Sequence, residues 1–225
     1  MIKVENIEVW GFKHAIRGMR NPKNSHSKSD SVYLSHQYCD EDKEVEMMQY
    51  CDIVPAIGKN DLDLMHRLYV AGTEHRKFLR QIFVSMDITT NQTLWLEFDT
   101  YKIGVTKNSC SKMHRIHVKE FTADDFSHEG IDEVGGAIRR HFNETLNALE
   151  SLRLKFNETQ EKKYWRAIIE LLPMGYNLKA TVTMNYENVA NIIHQRSNHK
   201  MFEWVEFTDI LKSLPYVKEI MGVEN

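Results

Sequence analysis

The chain has 225 residues, 42% of them hydrophobic and 27% charged, with a formal charge of −3. That length and balance suit one globular domain with a buried core. No repeat has a solenoid period and no basic stripe stands out, which argues against a solenoid array and a binder of polymeric nucleic acid, while leaving room for free nucleotides, which need only a few well-placed cations. Cys39, Cys51 and Cys110 are odd in number and irregular in spacing, which argues against a disulfide framework. No apolar run reaches membrane length, and the opening Met1-Ile-Lys-Val-Glu reads as no signal peptide, so a cytoplasmic protein without a membrane partner is expected.

In chain order, Val4, Ile7 and Val9 give residues 2–9 the pattern of a strand, and 10–20 suit a short helix. Asn, Ser, His, Asp and Glu dominate 21–56, read as a long loop. Asp61 is a candidate N-cap for a helix through Leu64, Leu68 and Val70, ending near Gly72. Phe78, Ile82, Val84 and Met86 are placed on one face of a strand over 78–86, with Arg80 on that face. Residues 94–105 are aromatic and mixed, and 106–118 are polar and broken. A helix is predicted over 129–156, with Phe142, Leu146, Leu149 and Leu152 at helical spacing, and another over 160–171, ended by Pro173. Residues 179–184 are β-rich, and 186–195 and 203–214 read as helices. The order implies an α+β fold: one domain over 1–225, its central mixed or antiparallel sheet flanked by helices.

The densest chemistry lies at 173–199. At 3.6 residues per turn, Asn185, Val189, Ile192 and Arg196 fall within about 40° of one line on a helix, with His199 one turn on. The preceding strand presents Lys179, Thr181 and Thr183 on one face, leading into Asn185. A guanidinium at the end of an apolar stripe needs a carboxylate or an anionic ligand. Two readings stay open on the residues alone: a capped helix with Arg196 paired to Glu170 or Glu203, or a ligand site.

Leu172-Pro173, then Asn185, Asn191 and Arg196, resembles the C-terminal block of the flavin-dependent thymidylate synthases. In that family a Leu-Pro pair precedes a strand, an Asn opens a helix, a second Asn follows six residues on, and an Arg follows eleven after the first. Glu74-His75 followed by Phe78 is similar to the family's Glu-His-x-x-Phe, and Ala15-Ile-Arg-Gly is a fainter echo. The resemblance implies that Asn185, Asn191, His199 and His75 face FAD. It implies that Arg196, with Arg80 and Lys102, meets a pyrimidine nucleotide such as dUMP. It further implies one-carbon transfer with NADPH and methylenetetrahydrofolate as candidate co-substrates, and a homotetramer with shared sites.

The family's signature, Arg-His-Arg-x-x-Ser-x-Asn-Glu-x-Ser-x-Arg, aligns with the thirteen-residue run from Tyr101 to Met113. Asn108 and Ser111 coincide with it and join the substrate-site candidates, and Thr106 stands for a Ser. The three arginines become Tyr101, Ile103 and Met113, and the Glu becomes Ser109. Lys102 is a point charge and does not reproduce a planar fork. The sequence therefore supports two functions, a divergent FAD-dependent synthase or a nucleotide- or flavin-binding protein that kept only the fold.

Other features weigh less. His114-x-x-His117 lacks a third metal ligand at convincing spacing, Cys110 has no accompanying base, Trp95, Phe98 and Tyr101 read first as core, and Gly58-Lys59 lacks the rest of a phosphate loop.

Overall fold

Among the described residues of the computed structural model, four strands run in the order β1 (Ile2–Trp10), β2 (Phe83–Asn91), β4 (Asn177–Asn185), β3 (Val105–Ser109) across one sheet. The structure describes residues 1–33 and 54–223; Cys39, Cys51 and most of the 21–56 stretch lie outside the described residues. The sheet is antiparallel at its centre: Ser85 meets Thr183, and two residues on, Asp87 meets Thr181 two residues back. Alternation sets the faces, as expected of half-buried strands. Ala180, Val182 and Met184 are buried on β4, as are Val84, Met86 and Ile88 on β2, while Lys179 and Thr181 face out.

The helices among the described residues are α1 (Phe12–Arg20), α2 (Lys59–Val70), α3 (Gln92–Phe98), α4 (Lys112–Arg115), α5 (Glu129–Val134), α6 (Gly136–Thr159), α7 (Lys162–Leu171), α8 (Tyr186–Arg196), α9 (Phe202–Lys212) and α10 (Val217–Met221). The α+β class read from the sequence is the class observed, with an antiparallel sheet and accompanying helices. Contacts group the chain into two compact units.

The first unit holds Met1–Glu5, Asp87–Thr100 and Lys107–Thr181. Its core is Ile116, Phe121, Phe126, Phe142, Leu149 and Ile168. Phe126 meets Phe142 edge-on with ring centroids 5.7 Å apart, and Tyr176 at 5.4 Å. The single helix predicted over 129–156 is two helices. Gly135 and Gly136 both have positive φ (62° and 55°), which ends α5 and starts α6 anew. Residues 94–98, left unassigned in the sequence, are helical because Asn91 Oδ1 accepts the backbone N–H of Leu94 at 2.9 Å and starts α3.

The second unit holds Asn6–Met86, Tyr101–Thr106 and Val182–Asn225. Phe12 packs edge-on against Tyr186 (5.7 Å) and Tyr216 (5.6 Å), and Trp204, Phe207 and Leu79 are fully buried. Burial drives the Tyr186 phenol well above the usual tyrosine range. Arg20 and Asp61 are buried together, with Arg20 Nε donating to Asp61 Oδ1 at 2.6 Å. Ser29, Ser31 and the backbone N–H groups of Asp30 and Ser31 all donate to Asp61 Oδ2. Asp61 is thus a buried acceptor hub inside α2 and not its N-cap; Asp30 accepts from the N–H groups of Asn60 and Asp61 and takes that part. The strand expected over 78–86 begins only at Phe83, because Arg76–Gln81 forms a 3-10 turn. Phe78 and Leu79 are adjacent and both buried, which breaks the alternation expected of a half-buried strand. Arg80 consequently points out and does not share the apolar face assigned to it.

Candidate functional site

The site is built on the junction of β4 and α8 in the second unit. Asn185 is the N-cap of α8. Its Oδ1 accepts the N–H groups of Glu187 (3.0 Å) and Asn188 (3.1 Å), while Asn188 Oδ1 accepts the N–H of Asn185 at 3.4 Å. This reciprocal box satisfies donors that the first helical turn leaves without partners. Asn188 also donates from Nδ2 to the Ile103 carbonyl at 2.8 Å. Gly104 has a φ of +74°, and a Cβ there would lie 2.7 Å from Asn185 Nδ2. The turn preceding β3 is thereby seated on the helix start, and only glycine fits both its backbone and its clearance.

Further along α8, Glu187 takes a two-pronged contact from Arg80, Nε at 2.5 Å and Nη2 at 3.2 Å. That hydrogen bond, with the carboxylate's charge, raises the Arg80 pKa. Arg76 lies beside the pair, its Nε 3.8 Å from Glu187 Oε1 and its Nη2 donating to Asn191 Oδ1 at 3.4 Å. Its guanidinium also sits 5.5 Å over the Tyr69 ring. At the other end of α8, Arg196 Nε donates to the Tyr101 hydroxyl at 3.0 Å. Its guanidinium lies 4.9 Å over the Trp204 ring and 5.8 Å over that of Tyr101. Tyr101 in turn donates to Gln195 Oε1 at 2.9 Å. Glu170, one of the two carboxylates considered for Arg196, pairs with Arg166.

Seven of the sequence-derived candidates fall in this unit: His75, Arg80, Lys102, Asn185, Asn191, Arg196 and His199. Asn185, Asn191 and Arg196 share α8, with Arg80 bound to Glu187 on the same helix. His199 Nδ1 accepts the N–H of Met201, and its ring meets Trp204 edge-on at 6.4 Å. Lys102 is exposed in the turn seated on α8. His75 is exposed where the Arg76–Gln81 turn begins, and it lines a groove of about 1400 Å³ together with Lys28, Arg67, Lys77 and Phe78. Asn108 and Ser111 belong to the first unit: Asn108 is exposed on β3, and Ser111 caps α4 by accepting the N–H of His114. Three residues went unnoticed in the sequence. Asn188 stands three after Asn185, the spacing of a capping box. Glu187 and Arg76 gave weaker signals, although Arg76 directly follows Glu74-His75. No group of three or more metal-ligating side chains occurs among the described residues.

No protein-family model and no curated protein matches the chain. Solved structures do. Flavin-dependent thymidylate synthase ThyX from Helicobacter pylori, complexed with FAD and dUMP, aligns with a TM-score of 0.64 at 16% identity, over 98% of this chain and 96% of that one. A second structure of the enzyme with FAD and dUMP gives a TM-score of 0.65 at 16% identity, over 98% and 97%. The fold is that of ThyX. The likeness spans nearly the whole chain and extends well beyond the motif block on β4 and α8. No helix among the described residues is long and apolar enough to cross a membrane.

Proposed function

We propose that the chain is a divergent flavin-dependent thymidylate synthase-type protein that binds FAD and a pyrimidine nucleotide, dUMP or a relative, and transfers a one-carbon unit to the base. The observation that carries this reading is the near full-length fold correspondence with ThyX bound to FAD and dUMP. Fold alone does not fix chemistry, so the residues are tested against the cofactor. FAD carries an anionic diphosphate and a ring edged with amide-like donors and acceptors. The outer face of α8 offers the Asn191 amide beside the Arg76 guanidinium, whose buried Nε lacks a hydrogen-bond partner. That donor set fits. Asn191, Arg76 and His75 would hold the cofactor, and Arg196 with Lys102 would meet the nucleotide. When bound, FAD supplies hydride transfer. The chain's own residues orient the two ligands, and Arg196, packed against the Tyr101 and Trp204 rings, is preorganised to meet negative charge. NADPH as reductant, methylenetetrahydrofolate as donor, a homotetramer with shared sites and a cytoplasmic location belong to the same proposal.

A second reading, binding without turnover, is favoured by one set of observations. The signature arginines are replaced by Tyr101, Ile103 and Met113, and Arg80 is held by Glu187. Two measurements test the proposal. Purified protein is expected to be yellow, with a flavin absorbance band that is lost on denaturation and filtration. Expression in a thymidine-requiring strain is expected to restore growth without thymidine. A yellow protein that fails to restore growth supports the binding protein, and a colourless one that takes up neither FAD nor dUMP overturns both readings.

A further inference from the structure

Around Glu187 the charges do not balance. Arg80 engages both carboxylate oxygens, and Arg76 approaches Oε1 at 3.8 Å, beyond hydrogen-bond range. Two guanidinium charges therefore meet one carboxylate directly in the first turn of α8, where the helix end adds positive potential; Glu74, itself paired with Lys77, adds only a weaker negative field at Arg80. Arg80 is half-exposed and shares its charge with water. Arg76 is different, with a side chain only 20% exposed. Its Nη2 makes one contact, with Asn191 at 3.4 Å, and its Nε is buried without a hydrogen-bond partner. A buried donor without an acceptor is costly, and such groups are rare in folded proteins. The Tyr69 ring beneath the guanidinium fixes its plane without providing an acceptor oxygen at that nitrogen.

We infer that Arg76 is an anion-binding residue, completed by a phosphate oxygen of the bound ligand, with Tyr69, Glu187 and Asn191 holding its guanidinium in place. The inference rests on the FAD- and nucleotide-binding reading above and deepens it. The signature arginines were lost from the 101–113 run, and a cation aimed at phosphate stands instead on the turn that precedes β2. The shared chemistry is a phosphate ester, supplied by FAD or by the nucleotide. A planar fork suits it better than an ammonium.

Calorimetric titration of the full chain with FAD, riboflavin, dUMP, deoxyuridine and inorganic pyrophosphate separates the sources. Arg76→Gln is expected to weaken pyrophosphate and one phosphorylated ligand by about tenfold or more, as for other contacts to an ionised group. Binding of the matching phosphate-free compound should be unchanged. Loss confined to FAD assigns its diphosphate; loss confined to dUMP assigns the nucleotide. Arg76→Lys should recover only part of the affinity, and urea denaturation of both variants shows whether they fold. If Arg76→Gln is misfolded, the Lys variant decides, and wild-type affinity there overturns the inference. Wild-type protein that binds FAD or dUMP, with Arg76→Gln binding both equally well, also overturns the inference and leaves the proposed function standing. Wild-type protein that binds neither, yet binds pyrophosphate through Arg76, overturns the proposed function alone. Wild-type protein that binds none of the probes overturns both.

Discussion

Arg196 Nε donates to the Tyr101 hydroxyl at 3.0 Å, and Tyr101 stands where the flavin-dependent thymidylate synthase signature begins with an arginine. A phenol thus meets a guanidinium in this chain, and it ties the 101–104 turn to the far end of α8. Replacing Tyr101 by Phe removes one partner of Nε and keeps the ring. Nucleotide affinity measured by calorimetry is expected to rise by a few-fold, matching a neutral hydrogen bond of about 0.5–1.5 kcal/mol. Arg196→Ala is expected to weaken it by about tenfold or more. An unchanged dissociation constant in Arg196→Ala would remove Arg196 from the proposed nucleotide site.

Asn185 has a structural task that must be separated from any ligand contact. Asn185→Asp keeps the capping oxygen and places negative charge at a helix N-terminus, where it is tolerated. Its unfolding free energy in urea should match the wild type to within about 0.5 kcal/mol. Asn185→Ala should lose roughly 0.5–2 kcal/mol. A drop in FAD affinity in the Asp variant, at unchanged stability, would then report on the ligand side of Asn185, the lost Nδ2 donor and the added charge, apart from its capping task.

Gly104 should tolerate no side chain. Its φ of +74° and the 2.7 Å approach to Asn185 Nδ2 both oppose a Cβ. Gly104→Ala is expected to cost about 1–2 kcal/mol in backbone strain alone, read by denaturant titration. The change also pushes on the capping box of α8, so ligand affinity should fall with it. Full stability in the alanine variant would show that the turn is not seated as described.

Asp61 sets a pH dependence. Burial acts to raise its pKa, but the hydrogen bonds from Ser31, Ser29 and Arg20, together with the Arg20 charge, outweigh burial and lower it from the ordinary 3.8. A carboxylate whose folded pKa lies below its unfolded value stabilises the fold fully above the unfolded value. That contribution is lost as pH falls through the folded value. Stability should therefore fall below about pH 4, the ordinary carboxylate range. Asp61→Asn should flatten that slope and, by leaving Arg20 buried without its charge partner, cost about 3–5 kcal/mol at neutral pH. Equal acid slopes for the two proteins would exclude Asp61 as the source.

The sequence exposed the parts of the molecule where one period dominates. Ala180, Val182 and Met184 alternate cleanly, and β4 with the helix after it was legible to within a residue or two. The strand at 78–86 was misplaced because Phe78, Ile82, Val84 and Met86 fit a two-residue period only if the buried Leu79 is ignored. The glycine pair at 135–136 interrupts a helix whose apolar spacing runs on beyond it, and spacing carries no information about φ. At the site, residue types pointed to α8, but pairing is a three-dimensional property. Nothing in the sequence says that Glu187 takes Arg80, or that Arg76 is left beside it with an incomplete set of acceptors.

The passage from β4 to α8 has no intervening loop: Asn185 is the last residue of the strand and the cap of the helix, and Tyr186 N already donates to the Ile82 carbonyl. The rotational setting of the helix is therefore inherited from the strand. One residue inserted into β4 would pass a turn of about 180°, set by the strand's two-residue period, to everything downstream. It would also exchange the strand's inner and outer faces. Arg196 and Asn191 would then point elsewhere on an otherwise intact helix. The side-chain pairs Ser85–Thr183 and Asp87–Thr181 thus act as an angular index for the site, two and four residues upstream of Asn185.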